Sequence, residues 1–268
     1  NASIGISMHT GASGVGDVDM SGISIVGNVI HGCWSDGIQV DNEGNNTDIY
    51  DITLLNNTVY NCEWGMFIDN DAAGDVRNNT VEGNVVYDCD SGIQFENSEN
   101  SGHVYGNDVL GNTVYDCYEG IIFDNDESNG SIYDNEVLGN TVYDCGGSGI
   151  SFENHGEGDT DDNTVADNEV WDCWSGIEFH ADHQYNGSIS GSTVFNNTVH
   201  HCVWGIFLYE EQWGDGSGDI SGNTVEGNTV HNCSDAGVAL MSWAAPSVVN
   251  NSVLNNTVYG CYDDEPSE

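Results

Sequence analysis

Apolar and polar residues alternate with period two along nearly the whole chain, in short phrases that return at a fixed interval. One phrase reads Asn57-Thr-Val-Tyr-Asn-Cys62, Asn112-Thr-Val-Tyr-Asp-Cys117, Asn140-Thr-Val-Tyr-Asp-Cys145, Asn197-Thr-Val-His-His-Cys202 and Asn256-Thr-Val-Tyr-Gly-Cys261. A second follows a short turn later, as Gly92-Ile-Gln-Phe95, Gly120-Ile-Ile-Phe123, Gly149-Ile-Ser-Phe152 and Gly176-Ile-Glu-Phe179. After a variable acidic loop, a third alternation such as Ser131-Ile-Tyr-Asp-Asn-Glu-Val-Leu-Gly139 leads back to the first. None of the phrases has the i, i+3, i+4 spacing of an amphipathic helix, so each predicts a strand.

The nine cysteines, Cys33, Cys62, Cys89, Cys117, Cys145, Cys173, Cys202, Cys233 and Cys261, mark the repeat at intervals of 27 to 31 residues. A unit of three short strands cannot bury its own apolar face, so the units must stack, each strand pairing in parallel with its counterpart one coil away. The prediction is an all-β chain forming a single parallel β-helix over residues 1–268, without separate caps. It has about nine coils of about 28 residues, with three strands per coil. Several Gly and Asn per repeat, with Val, Ile, Thr and Tyr, disfavour a helical solenoid. At roughly 4.8 Å between paired strands, nine coils make a rod about 40 Å long.

Stacking in register turns each repeat position into a ladder. Val and Cys of the first phrase and Ile and Phe of the second are expected to point inward. So is the Asn that opens the first phrase (Asn57, Asn84, Asn112, Asn140, Asn168, Asn197, Asn228, Asn256), as an amide ladder. The cysteines read as a buried column of small hydrophobes, with disulfides between adjacent coils as the alternative and one thiol left over from an odd number. No Cys-x2-Cys zinc cluster and no His-Glu-x-x-His motif is present, so no transition-metal site is expected. An outward aromatic column (Tyr60, Tyr87, Tyr115, Tyr143, Trp171, Tyr259) is interrupted by His200 and His231, and marks either a contact surface or a stacking that stabilises the sheet.

Charge changes the picture next. With 45 Asp plus Glu against one basic residue, Arg77, the formal charge is −44. That excludes nucleic acid as a partner, because phosphate binding requires Lys and Arg, and excludes adhesion to an anionic membrane surface. No apolar run is long enough to insert in a membrane. The residue after the Gly-Ile-x-Phe strand is acidic in five consecutive coils, Asp41, Asp69, Glu96, Asp124 and Glu153, and Asp71 and Asp126 extend the edge. Stacked carboxylates repel one another unless cations intervene, and oxygen-only donors suit Ca²⁺. No cofactor is required by the pattern; Ca²⁺ or another cation at this edge is the one candidate.

The Asn-x-Val and Gly-Ile phrases, repeated over essentially the whole chain, resemble the right-handed parallel β-helix superfamily of pectate lyases, with its carbohydrate-binding and sugar-hydrolase repeats. The resemblance implies a right-handed coil. It transfers no catalytic residue: Arg77 lacks the basic companions that a lyase places around an anionic sugar, and the paired aspartates with His, Arg and Lys neighbours of the polygalacturonase-like hydrolases are missing. A strongly anionic surface would repel polygalacturonate. Lysine-free acidic repeats also resemble the surface-layer, sheath and fibre proteins of archaea and some bacteria.

The sequence begins in the phase of the second phrase, with Ile4, Gly5, Ile6 and Met8, and ends just past Val258, Tyr259 and Cys261, where that phrase comes next. The expectation is a non-enzymatic structural protein, extracellular or on the cell surface, whose copies stack head to tail into a filament, sheath or layer. The alternative is a secreted β-helix that binds or cleaves a neutral glycan. The loop sequons at Asn45, Asn129 and Asn186 are candidate glycosylation sites.

Overall fold

Every strand pairs in parallel with the equivalent strand one coil away, and the pairing keeps like residues opposite like. Val86 lies between Val59 and Val114, Cys89 between Cys62 and Cys117, and Phe95 pairs with Phe123. The computed structural model describes all residues except 1, 11–17, 44–46, 71–72, 99–101, 126–128, 183–186, 212–217, 243–246 and 262–268. Among the described residues there are only strands and turns, arranged in three parallel sheets, one of 15 strands and two of nine.

The phrases distribute over the three sheets in an unexpected way. The first two belong to one long sheet, and in three coils they fuse into 13-residue strands, Thr58–Asn70, Val85–Asn97 and Thr113–Asn125. The third alternation divides between the two shorter sheets, as Ile132–Tyr133 and Glu136–Leu138. The break is Asp134, whose φ of 54° turns the chain through a left-handed corner. Each coil has three such corners, and among the described residues Gly, Asn and Asp fill all of them but one, His201, because these residues tolerate positive φ. One column reads Asp88, Asp116, Asp144 and Asp172. Part of the negative charge therefore sits where the backbone must bend.

Inside, Phe95, Phe123, Phe152 and Phe179 stack with ring centroids 4.7 to 4.8 Å apart. The expected amide ladder is present. Asn140 Nδ2 donates to Asn168 Oδ1 at 3.0 Å and to the Val109 carbonyl at 2.9 Å, while its Oδ1 accepts from Asn112 N at 2.8 Å and Asn112 Nδ2 at 3.0 Å. A second ladder, not anticipated from the sequence, runs through Asn79, Asn107, Asn135 and Asn163 at another corner, with side-chain bonds of 2.9 to 3.0 Å. The buried amides of these two ladders are thus satisfied by their neighbours in the stack, as the low-dielectric interior demands.

The cysteines form the expected column: Cys62 to Cys233 are buried, and Cys33 and Cys261, at the ends, are partly exposed. All nine are thiols. Cys62, Cys89 and Cys117 Sγ each donate to the carbonyl two residues back, at 3.4 Å. Burial pushes the Cys62 and Cys233 thiols up to about 12. The outward aromatic column is not interrupted after all. His200 and His231 are planar rings and stack within it, so His31, Tyr60, Tyr87, Tyr115, Tyr143, Trp171, His200, His231 and Tyr259 form one continuous pile with spacings of 4.5 to 5.6 Å.

At one end of the rod, Ile6 and Met8 pair with Ile38 and Val40; Ile4 is half-buried beside them and Gly5 exposed. At the other, Val253 and Val258 occupy inward positions yet are 51% and 47% exposed; Tyr259 is exposed and Cys261 half-buried. No helix among the described residues is long and apolar enough to cross a membrane.

Candidate functional site

Three outward columns of the long sheet converge on one groove. The first holds the residue before the glycine of the second phrase: Ser91 and Glu119 pair, and Ser148, Ser175 and Trp204 continue in register. The second holds the x position: Ile122, Ser151, Glu178 and Phe207. The third is the acidic row, in which Asp124 and Glu153 give way to His180 and Tyr209. Small residues in the middle coils (Gly146, Gly147, Ser148, Ser175) leave a hollow of about 630 Å³ between larger neighbours.

Aromatic rings wall the hollow. Trp204 stacks on Phe207 at 4.5 Å, Phe207 on Tyr209 at 4.3 Å, and His180 on Tyr209 at 4.4 Å. Tyr118 and Trp174 also line it, 64% and 58% exposed.

Three glutamates line the groove in different states. Burial and the neighbouring Glu153 charge push Glu119 up to about 8, although the Ser148 N–H donates to its Oε2 at 2.8 Å. Burial also raises Glu178, against the hydroxyls of Ser175 and Ser148, the latter donating to Glu178 Oε2 at 2.8 Å. Burial acts on Glu153 too, but His155, whose Nε2 is 3.5 Å from Glu153 Oε2, with the neighbouring Ser151 and the charge of His180, outweighs it and holds Glu153 below the usual carboxylate range. At neutral pH the groove therefore carries a protonated carboxyl at Glu119 and an ionised one at Glu153.

Glu153, His155 and His180 each present a ligand atom within 4.8 Å of the others. A second such group among the described residues is His9, Asp41 and Glu43 at the other end of the acidic row. The structure aligns Asp41, Asp69, Glu96, Asp124 and Glu153 in a single register row, pairing His9 with Asp41 at its start and His180 with Glu153 at its finish. His9 Nδ1 lies 3.0 Å from Asp41 Oδ2. Asp71 and Asp126 lie outside the described residues, as do Asn45 and Asn186, whereas Asn129 is exposed. Arg77 takes no part: its Nε and Nη2 donate to Asp48 Oδ2 at 3.2 and 3.0 Å and it covers the Tyr50 ring at 4.2 Å.

Sequence reasoning missed Glu119, Ser148 and Glu178, which are drawn from three coils. It also missed His180, although the phrase Gly176-Ile-Glu-Phe179 places that residue directly in the acidic row.

The chain matches the family described as right handed beta helix region over residues 13–186, and the family described as periplasmic copper-binding protein (NosD) over residues 106–267. It belongs to the right-handed β-helix and NosD families. Two solved structures resemble this β-helix, the A-modules of the mannuronan C-5 epimerases AlgE4 and AlgE6 of Azotobacter vinelandii. AlgE4 is 14% identical with a TM-score of 0.38, over 97% of this chain and 87% of that one. AlgE6 is 13% identical with a TM-score of 0.31, over 98% and 90%. No curated protein matches in sequence.

Proposed function

We propose that this β-helix binds a neutral glycan in the groove between Tyr118, Trp174 and Trp204. The observation that carries the reading is the pair of exposed rings, Tyr118 and Trp174, beside a carboxyl that burial keeps protonated, Glu119. Flat rings offer apolar faces to sugar C–H groups, and a few placed polar groups fix orientation. A protonated carboxyl donates as well as accepts, which suits sugar hydroxyls. The formal charge of −44 disfavours a uronate. The groove binds without turnover. Glu153, the ionised partner, is held down by His155 and Ser151, and a carboxylate so stabilised is a weak general base.

The NosD description is of periplasmic proteins, which supports a place for this chain outside the cytoplasm. Copper, named in the same description, finds two nitrogen donors grouped with a carboxylate at His155, His180 and Glu153. Hard cations such as Ca²⁺ are proposed to balance the rest of the acidic row.

A glycan array followed by titration monitored through tryptophan fluorescence tests the groove. Saturable binding lost in Trp174→Ala supports it; no binding by the unsubstituted chain sinks it. Reducing-sugar release from a bound glycan would replace binding by cleavage.

A second reading, stacking of copies end to end, is favoured by the half-exposed inward residues Val253 and Val258. The occupant proposed for that end is the Ile6 to Met8 strand of a second copy. Electron microscopy and light scattering test it: rods of many coils support stacking, and a stable monomer removes it.

A further inference from the structure

Glu153 and His155 lie two residues apart, at the end of the strand Ser148–Asn154 and just past it, and His180 stands in register with Glu153 one coil on. Three donors from two coils thus meet at one point, their ligand atoms all within 4.8 Å of one another. His155 Nε2 is 3.5 Å from Glu153 Oε2. Ligands at about 2.1 Å from a tetrahedral metal are about 3.4 Å apart, so this pair already spans one edge of such a site.

We infer that Glu153, His155 and His180 bind one divalent transition-metal ion, independently of any glycan. The imidazole of His180 is held by its stack on Tyr209, 4.4 Å away with planes 8° apart, and meets the His155 ring edge-on at 5.4 Å and 84°. Packing of this kind fixes a ligand's orientation before the ion arrives. Asp124 Oδ1, 3.9 Å from His155 Nε2, supplies a fourth donor, the second carboxylate, from the coil below. Two nitrogens and one or two carboxylate oxygens select Zn²⁺ or Cu²⁺ over Ca²⁺, which takes six or more oxygens. The acidic row pointing at the site concentrates cations there, and the chain's single positive side chain is engaged with Asp48. The three donors line the groove, so a bound ion faces solvent and keeps a position open to a small ligand.

The test uses the full chain with accessible thiols alkylated, titrated with Zn²⁺ by calorimetry and with Cu²⁺ by electron paramagnetic resonance. One tight equivalent is expected, its Cu²⁺ spectrum showing nitrogen hyperfine splitting. His155→Ala and His180→Ala each weaken it at least tenfold, while His9→Ala at the far end of the row leaves it unchanged. In the unsubstituted chain, bound Zn²⁺ protects His155 and His180 from diethyl pyrocarbonate, mapped by mass spectrometry. That measurement requires no variant to fold. Absence of a tight equivalent, its survival in both histidine variants, or no protection of His155 and His180 overturns the inference.

Discussion

The hydroxyl of Ser148 donates to Glu178 Oε2 at 2.8 Å, while the N–H of the same serine donates to Glu119 Oε2 at 2.8 Å. One residue thus holds two carboxyl groups contributed by the coils on either side of it. Ser148→Ala removes the first bond and keeps the second. Because that hydroxyl lowers Glu178, its loss is expected to raise the Glu178 titration further and leave that of Glu119 nearly in place. Carboxyl titration by NMR distinguishes the two; an unchanged Glu178 contradicts the bond.

Glu119 makes stability depend on pH. Its folded value, about 8, lies above the ordinary glutamate value of 4.5. Between those limits the unfolded chain has released a proton that the folded chain keeps, so stability falls as the pH rises through the window. Each pKa unit corresponds to about 1.4 kcal/mol, which bounds the effect at a few kcal/mol. Glu119→Gln is expected to flatten the dependence and to exceed the unsubstituted chain in stability at pH 9. Urea unfolding at pH 5, 7 and 9 checks this, and parallel slopes for the two proteins refute it.

Asn140→Ala removes the side chain that accepts from Asn112 and donates to Asn168 and the Val109 carbonyl. Several buried partners lose a bond together, and each costs about 1 to 3 kcal/mol. A loss of at least 3 kcal/mol in chemical denaturation is expected. Asn140→Asp is expected to be as damaging, since a carboxylate cannot donate along the ladder.

Two glycines of the same coil, Gly120 and Gly111, should respond in opposite ways. A Cβ on Gly120 would lie 2.2 Å from the Gly149 carbonyl oxygen, a backbone atom that cannot step aside. Gly120→Ala is expected to unfold the coil or to cost more than 3 kcal/mol. Gly111 is at φ +59° in open space, and Asn56 and Asn196 occupy the equivalent corner of other coils. Gly111→Asn is expected to be within about 0.5 kcal/mol of neutral. Thermal melts of both variants decide.

The coil was legible in the sequence because its signals are local and repeated: alternation predicts a strand, and Cys62 to Cys89 to Cys117 sets the register that the sheets adopt. The split of the third alternation was not, because Asp134 looks polar and solvent-facing by pattern while its actual role is a left-handed backbone angle. The groove was not legible for another reason. Glu119, Ser148 and Glu178 are far apart in the chain and become neighbours only through the stack, so no window of sequence contains them together. His180 is the exception, since counting from Phe179 places it in line with Glu153.

Spacing along the coil is unequal in its freedom. Val104, Val109 and Val114 stand at an interval of five positions, and the same interval recurs from Ile189 to Val194 to Val199. From the acidic row to the next short strand the interval is instead seven residues after Glu153 and eleven after Tyr209. Length is thus negotiable mainly at the edge that carries the carboxylates and the histidines. A rod built this way can exchange its loops for others, one coil at a time, while the stacked interior keeps its count.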